Sequence, residues 1–273
     1  MNVGDDSQYN RLRHAPVASV RKAIRENTYQ GHTAGLAAGR LQVNLAIMPQ
    51  AYALDFFRFC QRNSKPCPLT GVSDAGSRLL HTLGKDLRAE TDAPAYAVYR
   101  DGVLQEYRAD VADLWQDDFV AFALGCSFTF EHALIEAGIA MRHIDLNRTV
   151  PMYRSSLQTV QAGPFGGGMV VSMRPITHED LERVHEICGR YPLGHGGPVH
   201  VGNPEEIGVS DISTPDWGDA VPINEGEVPV FWACGVTPQN AAIAAKLPLF
   251  ISHKPGAMLI TDVDERANPP ILD

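Results

Sequence analysis

The sequence predicts an α/β protein: a three-layer α/β core carrying a smaller inserted two-layer α+β domain. Three observations predict this. Apolar runs rich in β-branched residues alternate with helical patterns along most of the 273 residues. At GCSFTFE a small turn opens a helix, and at ACGVTPQ a buried strand passes through a small turn into a capped helix. From about 148 to 204 the texture changes to strand, strand, helix, a compact two-layer unit. The chain is expected to leave the core near 148 and rejoin it near 205. That gives a core of 1–147 and 205–273 around an insert of 148–204.

The elements follow in order. PVASVRKAIRENT (16–28) has helical spacing, with Pro16 tolerated in the first turn. GHTAGLAAGR brings three glycines together, and LQVNLAIMP (41–49) has the content of a strand. AYALDFFRFCQRN (51–63) is an amphipathic helix whose apolar stripe is Leu54, Phe57 and Phe56 or Cys60. KPCPLTG ends it, because proline denies a helix its donors. AYAVYRDGVLQEYRAD (95–110) is a hairpin turning at Asp101-Gly102. Asp110 to Leu124, with Trp115 and Phe119, is expected as a helix, and Phe128 to Ala137 as another with Gly138 past its end.

Val150–Val160 and Gly168–Ile176 are strands joined by the AGPFGGG turn, and His178–Tyr191 is a helix with Thr177 as N-cap. VPVFWACG (228–235) is a buried strand. TPQNAAIAAKL is a helix with Thr237 at the N-cap and Pro238 at N1, and LFISH and AMLITD are further strands. ERANPPILD reads as a loose tail.

Composition narrows the function. With 44% apolar and 20% charged residues the chain has ordinary globular content, long enough for a substantial core. A net charge of −9 with dispersed Lys and Arg argues against a nucleic-acid binder. No run has the length of a membrane span, and the polar start MNVGDDSQYNRLRH is no secretory signal. The five cysteines, Cys60, Cys67, Cys126, Cys188 and Cys234, are odd in number and irregular in spacing. Neither a disulfide framework nor a zinc pattern is supported, and a reducing, cytoplasmic location is expected.

The segment Gly194–Asp219 concentrates His195, His200, Asn203, Asp211, Asp216 and Asp219 in a Gly- and Pro-rich loop. Loops on a scaffold carry catalytic residues, although Asp and Asn also serve turns. His195 and His200 are five apart, not at the HExxH spacing, so general acid and base roles rank above metal ligation.

Cys126 and Ser127 precede a helix, where a thiol nucleophile or an anion cradle is one reading and a cap beside a buried thiol the other. Glu131 and His132 lie one turn further on. ACGVTPQ repeats the arrangement, with Gly235 and Thr237 at a helix start whose amides can bind carboxylate or phosphate. AGPFGGGM lacks the spacing of a phosphate loop. Arg154, mid-strand in MYRSS, is either a carboxylate clamp or a solvated residue.

GCSFTFEHAL, VPMYRS, AGPFGGGMVVSMRP, HGGPVHVGNPEEIG, GEVPVFWACGVTPQ and SHKPGAMLITD together resemble the D-glutamate cyclase family, whose bacterial members are described as hydro-lyases. LQVNLAIMP, DFFRFCQRN and CPLTGVSDAG match its N-terminal pattern, so the resemblance runs from about Gly31 to Asp262. QTVQAGPF departs from it in having no cysteine where some relatives carry one. The resemblance implies an α/β fold with an inserted α+β domain and a lyase that removes water, the namesake reaction closing D-glutamate to 5-oxo-D-proline. It carries over no catalytic set.

Such a reaction needs an uncharged amine, a proton donor for the departing oxygen, oxyanion donors and a carboxylate anchor. The candidates are therefore His195, His200, Cys126, Ser127, Glu131 and Asp211 for catalysis, and Arg154, Thr237, Asn203 and Gly235 for substrate. No metal or organic cofactor is required. The expected partner is a small carboxylate or amino-acid substrate, with no nucleic acid and no membrane, and a homo-oligomer is compatible. The alternatives are a hydrolase of a small amide and a non-catalytic sensor of small acids.

Overall fold

A computed structural model describes residues 6–146 and 148–266. Two helices, α1 (Asp6–Leu12) and α2 (Val17–Arg25), lead into the long strand β1 (Arg40–Pro49) and helix α3 (Gln50–Arg62). β2 (Leu69–Val72), the hairpin β3 (Tyr96–Arg100) and β4 (Val103–Arg108), β5 (Phe119–Gly125) and α4 (Phe128–Glu136) follow. Next come α5 (Arg142–Asp145), β6 (Met152–Gln158), β7 (Gly168–Thr177) and α6 (Leu181–Gly189). The chain ends through β8 (His200–Val201), β9 (Glu227–Ala233), α7 (Val236–Ala244), β10 (Phe250–His253) and β11 (Leu259–Asp264).

The protein is α/β, built on two sheets. The first has seven strands in the order β2-β5-β1-β10-β3-β4, with β11 also paired to β1. The second has four, in the order β6-β7-β9-β8. Successive strand residues point to opposite faces, and on β1 both faces are buried. Leu41, Val43, Leu45 and Ile47 meet Leu80, Leu83, Leu87 and Ala93 of the connection before β3. Ala46 and Met48 meet Phe56 and Phe59 of α3 and Ala241 and Ala242 of α7.

On the second sheet, Ile176, Val230 and Trp232 pack under α4 and α6. Its other face, with Tyr153, Val171, Met173 and Phe231, is covered by Ile207, Val209 and Val221. Phe165, from the β6–β7 turn, enters the core of the first sheet and meets Phe56 edge-on at 5.1 Å.

The helix α3 forms as expected but turns a different side inward. Phe56, Phe59 and Cys60 are buried, while Leu54 and Phe57 are 60% and 44% exposed. Four apolar residues in DFFRFC allow two stripes, and the i, i+3, i+4 set wins by leaving Asp55 paired with Arg58 on the outer side.

The helix expected over Asp110–Leu124 is absent. Phe119–Gly125 is strand β5, every residue buried, between β1 and β2. Trp115 and Phe119 are four apart like helical neighbours, but they meet edge-on at 5.8 Å across a turn, and Trp115 Nε1 donates to the Gly76 carbonyl. A short continuous apolar run has no periodicity to separate strand from helix. The hairpin at Asp101-Gly102 forms with φ of 50° and 79° at the two turn residues, as a two-residue turn of this hand requires.

The expected return near 205 does not coincide with the change of sheet. β9 pairs with β7 and β8, so strands of the second sheet run on to Ala233. The tail residues 267–273 lie outside the described residues.

Candidate active site

Two strand-to-helix turns cross between the sheets and meet. β5 belongs to the first sheet, yet α4, which follows it, packs under the second. β9 belongs to the second sheet, yet α7 packs on the first. Cys126 and Ser127 make one turn, Cys234 and Gly235 the other.

Asn44 of β1 touches both turns. Its Nδ2 donates to the Gly125 carbonyl at 2.7 Å, and a Cβ on Gly235 would lie 2.2 Å from the same nitrogen. A Cβ on Gly125 would sit 1.6 Å from the Leu193 carbonyl. Glycine is therefore required at both turns for close approach.

Beneath the turns lies Arg174 of β7, fully buried. Its Nε donates to Glu131 Oε1 at 2.9 Å, its Nη1 to Ser172 Oγ at 2.9 Å and its Nη2 to Ser127 Oγ at 3.0 Å; Nη2 also contacts Glu131. Phe130 and Trp232 stack against the guanidinium at 5.1 and 5.2 Å. His143 Nε2 comes within 3.4 Å of Glu131 Oε1. Burial pushes the Glu131 carboxyl up, but the charges of Arg174 and His143 and their hydrogen bonds outweigh it and hold it down at about 2. Glu131 is thus an anion that fixes Arg174, and Ser127 is the point where the network reaches the turn.

The thiols of Cys126 and Cys234 sit at the two helix starts. Burial raises them to about 12 and about 11, opposed by the Phe128 amide at one sulfur and by the Val236 and Gly235 amides at the other. Both are protonated at neutral pH. Above them a strap of residues 193–195 crosses the start of α4, and a Cβ on Gly194 would lie 3.2 Å from Thr129 Cβ. His195 ends the strap in a left-handed conformation, φ 76°, buried, with Nδ1 2.9 Å from the Lys65 carbonyl. A carbonyl only accepts, so Nδ1 carries the proton and Nε2 is bare. Burial lowers this imidazole to about 4, keeping it neutral.

Of the residues singled out from sequence, Cys126, Ser127, Glu131, His195 and Gly235 meet here. Ser127 stands at the N-cap of α4 but makes no side-chain cap; its oxygen accepts from Arg174 instead. Gly235, not Thr237, is the N-cap of α7, so Pro238 is not at N1. Thr237 Oγ1 exchanges hydrogen bonds with the Val170 backbone, and so is spent on joining α7 to β7.

The other four lie elsewhere. His200 packs on Phe231, on the far face of the second sheet, with Nε2 against the Asn203 carbonyl at 2.7 Å. Asn203 caps a short turn through Glu205 N. Asp211 is exposed and binds Ser213 and Thr214, as a turn residue does. Arg154, 64% exposed in its side chain, pairs with Asp216 and stacks on Trp217 at 4.8 Å.

The sequence reading missed Arg174, Asn44, Ser172 and the role of Cys234. Two signals were present: a charge inside the apolar strand GMVVSMRPI, and the likeness of ACG to GCS. Two surface cavities lie apart from this cluster. One, of about 610 Å³, is lined by Arg13, His14, Arg40 and Lys85; the other, of about 420 Å³, by Arg148 and residues 212–213 and 220–223. Neither holds a thiol or Arg174. Among the described residues no helix is long and apolar enough to cross a membrane.

The sequence profile of a family described as D-glutamate cyclase matches residues 120–262. Proteins named "Putative hydro-lyase" are similar over nearly the whole chain. One from Dinoroseobacter shibae is 61% identical, covering 99% of this chain and 90% of its own length. One from Ruegeria pomeroyi is 58% identical, covering 100% and 98%, and one from a Jannaschia species is 55% identical, covering 94% and 97%. A solved nitrogen repressor-like protein from Methanococcus jannaschii aligns with a TM-score of 0.38 at 10% identity, over 88% of this chain and 96% of that one, too slight a likeness to bear on function.

Proposed function

This chain belongs to the D-glutamate cyclase family, and on that premise we propose that it is a hydro-lyase acting on a small amino or carboxylic acid at the junction of its two sheets. The finer reading is closure of D-glutamate to 5-oxo-D-proline. The observation that carries it is the buried chain Glu131–Arg174–Ser127, which ends at the start of α4, where Asn44 brings the turn into α7 close by.

The chemistry follows from the donors. Ser127 Oγ accepts from Arg174, so its own proton is free to point outward, polarised by the guanidinium. That hydroxyl donates to the oxygen that leaves. The amides at the starts of α4 and α7 hold a carboxylate through their partial positive charge. Neutral His195, bare at Nε2, relieves the substrate ammonium of a proton and makes the amine a nucleophile.

The proton count closes. The ammonium brings three hydrogens; one stays on the lactam nitrogen and two depart with a carboxylate oxygen as water. Every proton taken up by His195 is returned, so the enzyme ends as it began.

The test is incubation with D-glutamate, L-glutamate and a panel of amino and hydroxy acids, read by mass. Loss of one water from a panel member supports the reading. Thermal stabilisation by an acid without conversion would instead make the protein a binding protein.

A further inference from the structure

The cavity of about 610 Å³ is lined by groups that the proposed reaction does not use, and its volume is that of a small-molecule site. Four stretches distant in sequence build it. They are the turn from α1 into α2, with Arg13 and His14; the approach to β1, with Ala37 and Arg40; Lys85; and Asp262 of β11. All of its charged or titratable side chains but Asp262 are basic, on a chain whose net charge is −9. A cleft lined by one sign of charge concentrates ions of the other.

The acids nearby are already engaged. Asp262 Oδ1 accepts from Arg21 Nη1 at 2.6 Å, and its Oδ2 from the Lys85 amide at 3.3 Å. Asp86, beside Lys85 in sequence, pairs with Arg25 at 2.8 Å and with Arg21 at 3.0 Å, and Asp264 pairs with Arg266 at 3.4 Å. Among the described residues no carboxylate pairs with the side chain of Arg13, His14 or Lys85. Arg40 is fixed through one nitrogen, Nη1, which donates to the Asp262 carbonyl at 2.5 Å. Arg21, one turn along α2 from Val17, is 4% exposed, and its Nε has no hydrogen-bond partner. Positive charge is therefore in excess here even after every local ion pair is made.

The start of α2 adds to it. This nine-residue helix begins at the cavity, its N-cap Pro16 offers no side-chain oxygen, and no acidic residue stands in its first turn. The first amides are left without a capping group, at the positive end of the helix. Val17 and Ala37 are small apolar neighbours that leave room for the body of a ligand.

We infer that this cavity is a second binding site, which takes a small molecule through a phosphate group. One carboxylate is satisfied by a single arginine fork, whereas Arg13, Arg40, Lys85 and a helix start together match a dianion with three acceptor oxygens. The ligand class is a phosphorylated metabolite, with inorganic phosphate and pyrophosphate as its simplest representatives. The inference is independent of the reaction proposed above, and either can fail without the other.

The experiment titrates the full chain with inorganic phosphate, pyrophosphate and, as the carboxylate control, acetate, all at one low ionic strength. Calorimetry reads affinity, and NMR follows the histidine ring protons. At least one phosphate probe is expected to bind saturably and more tightly than acetate. His14 should shift on binding while His200, on the second sheet, stays unmoved. The double variant Arg13→Ala/Lys85→Ala changes two exposed side chains and should weaken binding at least about 10-fold, as loss of charge-assisted hydrogen bonds does. Arg148→Ala, at the other cavity, should leave the affinity unchanged. The inference is overturned if neither phosphate probe saturates, if acetate binds as tightly, or if affinity survives the double variant or follows Arg148. The His14 shift is read on the wild type, so it tests the site whether or not the double variant folds. Phosphate binding that leaves His14 unmoved overturns the inference as well.

Discussion

Glu131 and Arg174 form a buried ion pair, and removing one partner strands the other's charge. The perturbation is Glu131→Leu, compared with Arg174→Met and with the double variant. Glu131 is held at about 2 against an ordinary 4.5. At about 1.4 kcal/mol per pH unit that difference corresponds to about 3 kcal/mol. Breaking a buried pair from one side costs about 3–5 kcal/mol by general experience, so the two figures agree. Glu131→Leu should therefore lower the midpoint of thermal unfolding by roughly 6–12 °C, at about 2–4 °C per kcal/mol for a domain of this class.

The double variant removes both charges and keeps the volume apolar, between Phe130 and Trp232. Its loss should fall short of the sum of the single losses by about 2 kcal/mol, within the range expected for contacting residues. Urea unfolding of all four proteins measures this. A Glu131→Leu cost below about 1 kcal/mol, or strict additivity, would refute the reasoning.

Three further outcomes are expected. His195 and His253 are both lowered to about 4 from 6.5 by burial, so the unfolded chain binds more protons between those values. Their stabilisation is complete above pH 6.5 and is lost as the pH falls through 4, up to about 3 kcal/mol each, with Glu131 adding its own loss from 4.5 down through 2; denaturation midpoints across that window check it, and a flat profile would contradict it. Gly125→Ala drives a methyl into the Leu193 carbonyl, so it should cost about 1–3 kcal/mol and release the strap. NMR titration would then find His195 moving up towards 6.5, whereas an unmoved His195 would show that the strap does not depend on this approach. His200→Ala and Asp211→Ala should keep wild-type turnover of whichever acid the panel identifies, and His195→Ala should lose about 100-fold; the reverse order in steady-state rates would return the chemistry to the loop.

Much of the fold was legible because periodicity carries it. β1, α2, the Asp101-Gly102 hairpin, α4 and α7 all have local signals that the tertiary structure agrees with. Phe119–Gly125 did not, because a strand covered on both faces is apolar throughout and loses its alternation. The site was half legible for a related reason. Cys126, Ser127 and Gly235 stand at helix starts, which sequence marks well.

Arg174 is a charge inside an apolar strand, and its meaning comes from Glu131, which is 43 residues away in sequence and on a helix packed over the same sheet. His195 and His200, five apart in sequence, are parted by the second sheet. Nearness along a loop says little about which side of a sheet a residue will face.

The central claim is that the chemistry resides where the two turns meet, with Arg174 beneath them, and not on the outer loop with Arg154. The most direct test is the turnover of Arg174→Lys beside that of Arg154→Lys, on the same substrate and with folding verified by circular dichroism. Lysine cannot reproduce the three-way fork to Glu131, Ser172 and Ser127, so Arg174→Lys should lose nearly all turnover while Arg154→Lys keeps it. A folded Arg174→Lys with wild-type turnover, or an inactive Arg154→Lys, would contradict the account.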